Sequence, residues 1–199
     1  MSSRNAILDS LRAAQRTPAT LPDVPMFDAG LPLALDTFKE TLAQMGGTWA
    51  DRSMDGDLDA QIRARFPDAK VICSAVPEVA GTRRIEDVRD PHELNDVDVG
   101  IVRPRFAVAE TGSIWLSEVQ YQVNALGYLS QHLVALLDPA DIVGNLHHAY
   151  HRSEFFGANY AVLMSGPSAT ADIEGVLILG AQGIRSLTVI PAPRVRYPG

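Results

Sequence analysis

The sequence holds a single cysteine, Cys73, among 199 residues. No internal disulfide can form, and thiolates of this chain alone cannot ligate a zinc knuckle or an iron–sulfur cluster. Long apolar runs are missing as well, since none approaches the ~20 residues of a membrane helix. The opening Met1-Ser-Ser-Arg-Asn-Ala-Ile-Leu-Asp9 places charge where a secretory signal needs an apolar stretch. A reducing, cytoplasmic setting is the expectation. Basic residues are outnumbered, 17 Lys and Arg against 24 Asp and Glu for a formal charge of −7. Neither nucleic acid nor a membrane surface is therefore an expected partner. The basic pairs Arg83–Arg84 and Arg103-Pro-Arg105 are local and read as solvated faces, with a small anion as the other use for them. Internal repeats and low-complexity segments are absent.

What is present is ordinary globular usage, 46% hydrophobic and 21% charged, in a chain long enough for one substantial core. Ile7, Leu8 and Leu11 at helical spacing predict a short amphipathic helix ending near Arg16. Pro18, Pro22, Pro25 and Pro32 then predict a linker. Residues 1–34 are thus expected to form a helix and proline-rich linker, and residues 35–199 an α/β domain. The helix is expected to dock on another chain or lie apart from the core, and a homo-oligomer is one arrangement that covers it.

Leu35, Phe38, Leu42 and Met45 mark a helix stopped by Gly46-Gly47. Leu58, Ile62 and Phe66 mark another, stopped by Pro67. Val71-Ile-Cys-Ser-Ala-Val76 has the continuous apolar character of a strand buried on both faces. Val99-Gly-Ile-Val102, Phe106-Ala-Val-Ala109 and Ile114-Trp-Leu116 predict closely spaced strands. Leu133-Val-Ala-Leu-Leu137, Tyr160-Ala-Val-Leu-Met164 and Leu187-Thr-Val-Ile190 predict further core strands. Pro139 is expected to open a helix carrying Ile142, Val143, Leu146 and Tyr150, and residues 176–179 are read as a strand between Gly175 and Gly180. This order implies a mainly parallel sheet covered by helices with a short antiparallel part, and ligands bind beyond the carboxyl ends of such strands.

Two segments can carry chemistry. In Ser165-Gly-Pro-Ser-Ala-Thr-Ala-Asp-Ile-Glu174, Gly166 permits close backbone approach, and Ser165, Ser168 and Thr170 offer hydroxyls to an anionic ligand. If residues 171–174 are extended, Asp172 and Glu174 share a face as an acid/base pair or cation ligands. The alternative is that Ser168 and Thr170 cap a turn and Asp172 accepts backbone amides. In Ala109-Glu-Thr-Gly-Ser113 a glutamate closes an apolar strand. Glu110 is then either a nucleophile or base tuned by partial burial, or a paired carboxylate at a strand end, with Thr111 and Gly112 forming the following turn. His147 and His151 lie four apart, yet no His-Glu-x-x-His pattern or third ligand is present, so no metal site is expected.

Those two segments, Ala109-Glu-Thr-Gly112 and residues 165–174, resemble the paired signatures of the lactate-utilisation (LUD) family. The resemblance extends through Gly180-Ala-Gln-Gly183. It implies an α/β fold similar to the ribose-phosphate isomerase and coenzyme A transferase superfamily. It also implies work beside companion subunits, at least one carrying iron–sulfur clusters, in oxidising L-lactate to pyruvate. This chain would be the cluster-free accessory or substrate-side subunit, with no cofactor of its own and a small-anion site built from Glu110, Ser168, Thr170, Asp172 and Glu174. A stand-alone enzyme acting on a small carboxylate or thioester through Glu110, by analogy with those transferases, is the second reading, and a pure scaffold is the third. Compared with the family, the chain has Ala169 in place of arginine, Gln182 in place of histidine and Ile184 in place of proline.

Overall fold

The computed structural model describes residues 3–14, 20, 22–52, 56–172 and 175–194. In chain order these form α1 (Ser3–Ala13), α2 (Ala34–Gln44), β1 (Thr48–Trp49), α3 (Leu58–Arg65), β2 (Ile72–Ser74), β3 (Arg83–Arg84), β4 (Val99–Val102), β5 (Phe106–Val108) and β6 (Ser113–Ser117). The chain continues through α4 (Glu118–Tyr121), α5 (Leu126–Leu129), β7 (His132–Leu137), β8 (Ile142–Val143), α6 (Leu146–Tyr150), α7 (Glu154–Gly157) and β9 (Ala161–Met164). It closes with β10 (Ala169–Thr170), β11 (Ile178–Leu179) and β12 (Ser186–Pro191).

The expected parallel sheet is there, with order β1-β12-β7-β4-β2-β3 and every pairing parallel. Alternate side chains on its central strands serve two cores, as a period of two requires. Val99, Ile101, Val134, Leu136 and Ile190 pack with Leu58 and Ile62 of α3. Val102, Leu133, Ala135, Leu137, Leu187 and Val189 pack with Phe38 and Leu42 of α2. Burial on both faces explains why these strands read as unbroken apolar runs.

The antiparallel pairings of β5 with β6 and β6 with β9 lie in a separate, mixed four-stranded sheet, order β8-β5-β6-β9. Ala107 and Ile114 face the α2 core. Phe106, Val108 and Trp115 face outward under Ala149 and Phe155. The cross-strand pair Phe106 and Trp115 stacks with ring centroids 5.3 Å apart.

Residues 139–150 depart from expectation. Pro139 opens only a short 3-10 turn, capped by the Asp138 carboxylate accepting from the Ala140 amide. Ile142 and Val143 then pair in parallel with β5, and α6 starts afresh at Leu146 with Asn145 accepting from the His148 amide. The apolar spacing imitates one helix, but two capping side chains with Gly144 between them divide it.

Helix α1 forms as read, and none of its described residues is buried. Ser2, Arg16 and Pro18 lie outside the described residues. Part of the linker is tied to the body, because Nδ2 of the buried Asn145 donates to the Met26 carbonyl at 2.7 Å.

Helix α2 is the element on which both sheets close. Its Thr41 hydroxyl donates to the Ala109 carbonyl at 2.6 Å. A Cβ at Gly112 would sit 2.5–2.8 Å from backbone atoms of Thr41 and Leu42, and one at Gly166 would collide with the Met45 carbonyl. Both glycines hold positive φ, +60° and +64°, a region other residues enter at a cost of about 1–2 kcal/mol. Gly175 has a similar φ of +69° with no described residue within 4 Å of its missing Cβ. Gly175→Ala should therefore show the conformational cost alone, and Gly166→Ala roughly 1–3 kcal/mol beyond it from the collision. Equal losses in urea unfolding would contradict this packing.

On the outer face, Glu154 bonds Arg105 Nε at 2.8 Å and Arg152 Nη2 at 3.0 Å. Burial pushes its carboxyl upward, but its own backbone amide and the Arg152 and Arg105 charges outweigh that and bring its pKa from 4.5 down to about 2. A depressed folded-state pKa stabilises the fold above the unfolded value, and that stability is lost as pH falls through the folded value. The stability gap between the wild type and Glu154→Gln should be constant above about pH 5 and close between there and pH 2. A gap that widens on acidification would contradict the pairing.

Candidate functional site

The Glu110 segment extends the pairing of β5 with β8: the Ala109 amide donates to Val143 O and the Glu110 amide to Gly144 O. The Glu110 side chain is exposed, and its Oε2 accepts the Leu146 amide at 2.9 Å, at the first turn of α6. It therefore serves as a carboxylate acceptor at a helix start. Glu110 also lines a cavity of about 610 Å³ with Phe27, Leu31, Thr37, Gly144, Asn145 and His147. The linker forms one wall, with the Phe27 ring 4.9 Å from His147.

The second segment leaves β9 at Met164. Ser165 through Ser168 line a different cavity, of about 550 Å³, together with Gly127, Tyr128, Leu129, Met164, Gln182, Gly183 and Ile184. Its backbone is pinned, because the Ser168 amide donates to Ile184 O and the Gly180 amide to Ser168 O. No described residue in this lining carries a formal charge.

The two segments do meet, through the Ser165 hydroxyl donating to the Thr111 carbonyl at 3.2 Å. Thr111 and Ser113 share a further hydroxyl contact of 2.6 Å. The meeting point is backbone resting on the end of α2, and Glu110 and Ser168 open into cavities that share no residue. What Gly166 and Gly112 admit at close range is that helix.

Thr170 lies in β10, paired with Ile178 of β11, and is half-buried. Asp172 is exposed in the turn between those two strands, its amide 3.5 Å from Thr170 Oγ1. The extended alternation read for residues 171–174 does not hold at Asp172, because the chain is already reversing direction there. Asp172 lines neither cavity. Glu174 lies outside the described residues.

The basic pairs are occupied. Arg83 meets Asp96, Arg84 meets Glu86, Arg103 meets Glu78 and Arg105 meets Glu154, at 2.6–3.2 Å. His147 and His148 lie on α6, His151 caps it, and His148 Nε2 is 3.7 Å from Asp28. Among the described residues no cluster of three or more His, Cys, Asp or Glu is placed to hold a metal ion, and no helix is long and apolar enough to cross a membrane.

The Tyr128 and Leu129 wall and the linker wall at Phe27 were not foreseen from sequence. Neither segment has a periodic or motif signal of its own. Gln182 and Ile184 line the Ser168 cavity, while Ala169 is exposed in β10.

A match to the LUD domain spans residues 56–190, taking in both segments. The chain is 25% identical over 166 residues to lactate utilization protein C of Geobacillus sp. strain WCH70, covering 78% of this chain and 66% of that protein. It thus spans just under two thirds of that relative. The crystal structure of a DUF162 family protein from Deinococcus radiodurans is similar in fold, with a TM-score of 0.57 at 18% identity over 85% of this chain and 99% of that one.

The position of Glu110 makes a direct test of its role in the fold. Glu110→Gln keeps an oxygen for the Leu146 amide and should leave the melting temperature nearly unchanged. Glu110→Ala removes the acceptor at the start of α6 and should lower it measurably. Calorimetry ranking Gln below Ala would refute the capping role.

Proposed function

The chain belongs to the LUD domain family, and on that premise we propose that it is a cluster-free subunit of a lactate-utilisation system, working beside partner chains that carry the iron–sulfur clusters. Its part is to hold a ligand in the cavity at residues 165–168. The observation that supports this reading is that cavity: a preformed hollow at the most distinctive family segment, of a size within the roughly 300–1,000 Å³ of small-molecule sites. Glu110 is the weaker candidate for chemistry, since its exposed carboxylate already serves the α6 amide.

Cys73 fits a subunit that leaves redox centres to others. It is fully buried in β2, and burial pushes its thiol up to about 11, so the thiolate needed for ligation is disfavoured.

The test is reconstitution. The purified chain and the iron–sulfur chains of its host's lactate-utilisation system should together support lactate-dependent dye reduction that the partners alone do not. Gln182→Trp, which fills the cavity from an exposed rim position, should reduce that rate at least about tenfold while the complex still assembles. Full activity without this chain, or with the cavity filled, would overturn the proposal.

A further inference from the structure

We infer that the cavity at residues 165–168 takes an uncharged ligand, an apolar body carrying a hydrogen-bond acceptor, and rejects free carboxylates such as lactate. This rests on the reading of that cavity as the ligand position and goes on to assign the class of ligand.

The first ground is charge. Among the described residues that line the cavity, in the segments 127–129, 164–168 and 182–184, there is no lysine, arginine or histidine. Arg185 follows Ile184 directly but lines another cavity, with Arg65 and His132 at the amino ends of the central strands. A carboxylate entering the Ser168 cavity would shed part of its water without meeting a counter-charge, which opposes binding. The overall charge of −7 adds long-range repulsion.

The second ground is the supply of donors. Neutral sites can hold anions when several N–H and O–H groups converge, but along residues 165–168 several are committed. The Ser168 amide is bound to Ile184 O, Pro167 has no amide hydrogen, and the Ser165 hydroxyl donates to Thr111 O. The side-chain donors that remain are Ser168 Oγ, the Gln182 carboxamide and the Tyr128 hydroxyl. Together they can orient a carbonyl or amide oxygen, which asks for one or two donors.

The third ground is size and surface. At about 550 Å³ the space far exceeds what a three-carbon acid fills, and Leu129, Met164, Pro167 and Ile184 supply apolar walls. Methionine adapts to irregular ligands, and the partly exposed Tyr128 ring offers a flat face at the mouth. The α5 wall is fixed, because a Cβ at Gly127 would run into the ring of the buried Tyr121.

A matched pair of probes tests this: naphthalene-2-carboxamide and naphthalene-2-carboxylate share a shape and differ in charge. Isothermal titration at neutral pH should show the amide binding at least about 30-fold more tightly than the carboxylate, with lactate giving no heat at millimolar concentration. Ser168→Ala should weaken the amide roughly fivefold to tenfold. Gln182→Arg, at an exposed rim position, supplies the missing cation and should reverse the preference. If the wild type binds the carboxylate or lactate as well as the amide, and Ser168→Ala weakens that binding, the inference fails while the cavity stands as the ligand site. If neither probe binds the wild type or the Gln182→Arg variant, the cavity is not a ligand site and both readings fall.

Discussion

The structure turns on how closely two glycine turns approach one helix end. Gly112 closes the turn between β5 and β6, Gly166 the turn after β9, and both press on α2 between Thr41 and Met45. A side chain at either would have to displace backbone, which gives far less readily than the far end of a flexible side chain. Thr41 and Ser165 lock the contact with hydrogen bonds to the carbonyls of Ala109 and Thr111. Because α2 also buries Phe38 and Leu42 in the core shared with the parallel sheet, this one seat fixes the mixed sheet against the parallel one. The cavity at residues 165–168 inherits its position from that seat.

The distribution of charge follows from the same economy. The guanidiniums near the carboxyl ends of the central strands hold loops together: Arg103 bonds Glu78 and the Ala192 carbonyl, and Arg194 bonds the Pro104 carbonyl while lying 3.3 Å from Asp141. Arg105 and Arg152 converge on Glu154. With these cations engaged in structure, the Ser168 cavity is lined by hydroxyls, an amide and apolar groups. Shape is supplied there by backbone and charge is withheld, which narrows the ligands such a site can desolvate.

Much of the fold was legible because burial on two faces leaves a plain mark. Leu133-Val-Ala-Leu-Leu137 and Leu187-Thr-Val-Ile190 are continuous apolar runs and are the neighbouring strands β7 and β12. Residues 139–150 were misread since Ile142, Val143, Leu146 and Tyr150 keep a helical spacing across a real break, and only the capping roles of Asp138 and Asn145 reveal it. The chemistry-bearing segments stood out by composition, but composition does not say what a glycine faces. Gly166 meets a carbonyl contributed by Met45, remote in the chain, and Glu110 meets an amide of a helix whose start was itself misplaced. Asp172 fell in a reversal that two-residue strands on either side barely announce.

The division between backbone and side chain bears on what family membership tells about such a protein. The glycines and the Ser165 contact that seat α2 are constrained by close approach, so a chain that keeps this architecture has little freedom to change them. Gln182 sits at the cavity rim with its side chain exposed, and replacing it costs the fold little. A neutral amide thus stands at that rim without disturbing the clamp. Ala169 is likewise exposed on a two-residue strand. The seat of α2 is thus held by glycines that backbone crowds, and the cavity rim by side chains whose replacement leaves that seat alone.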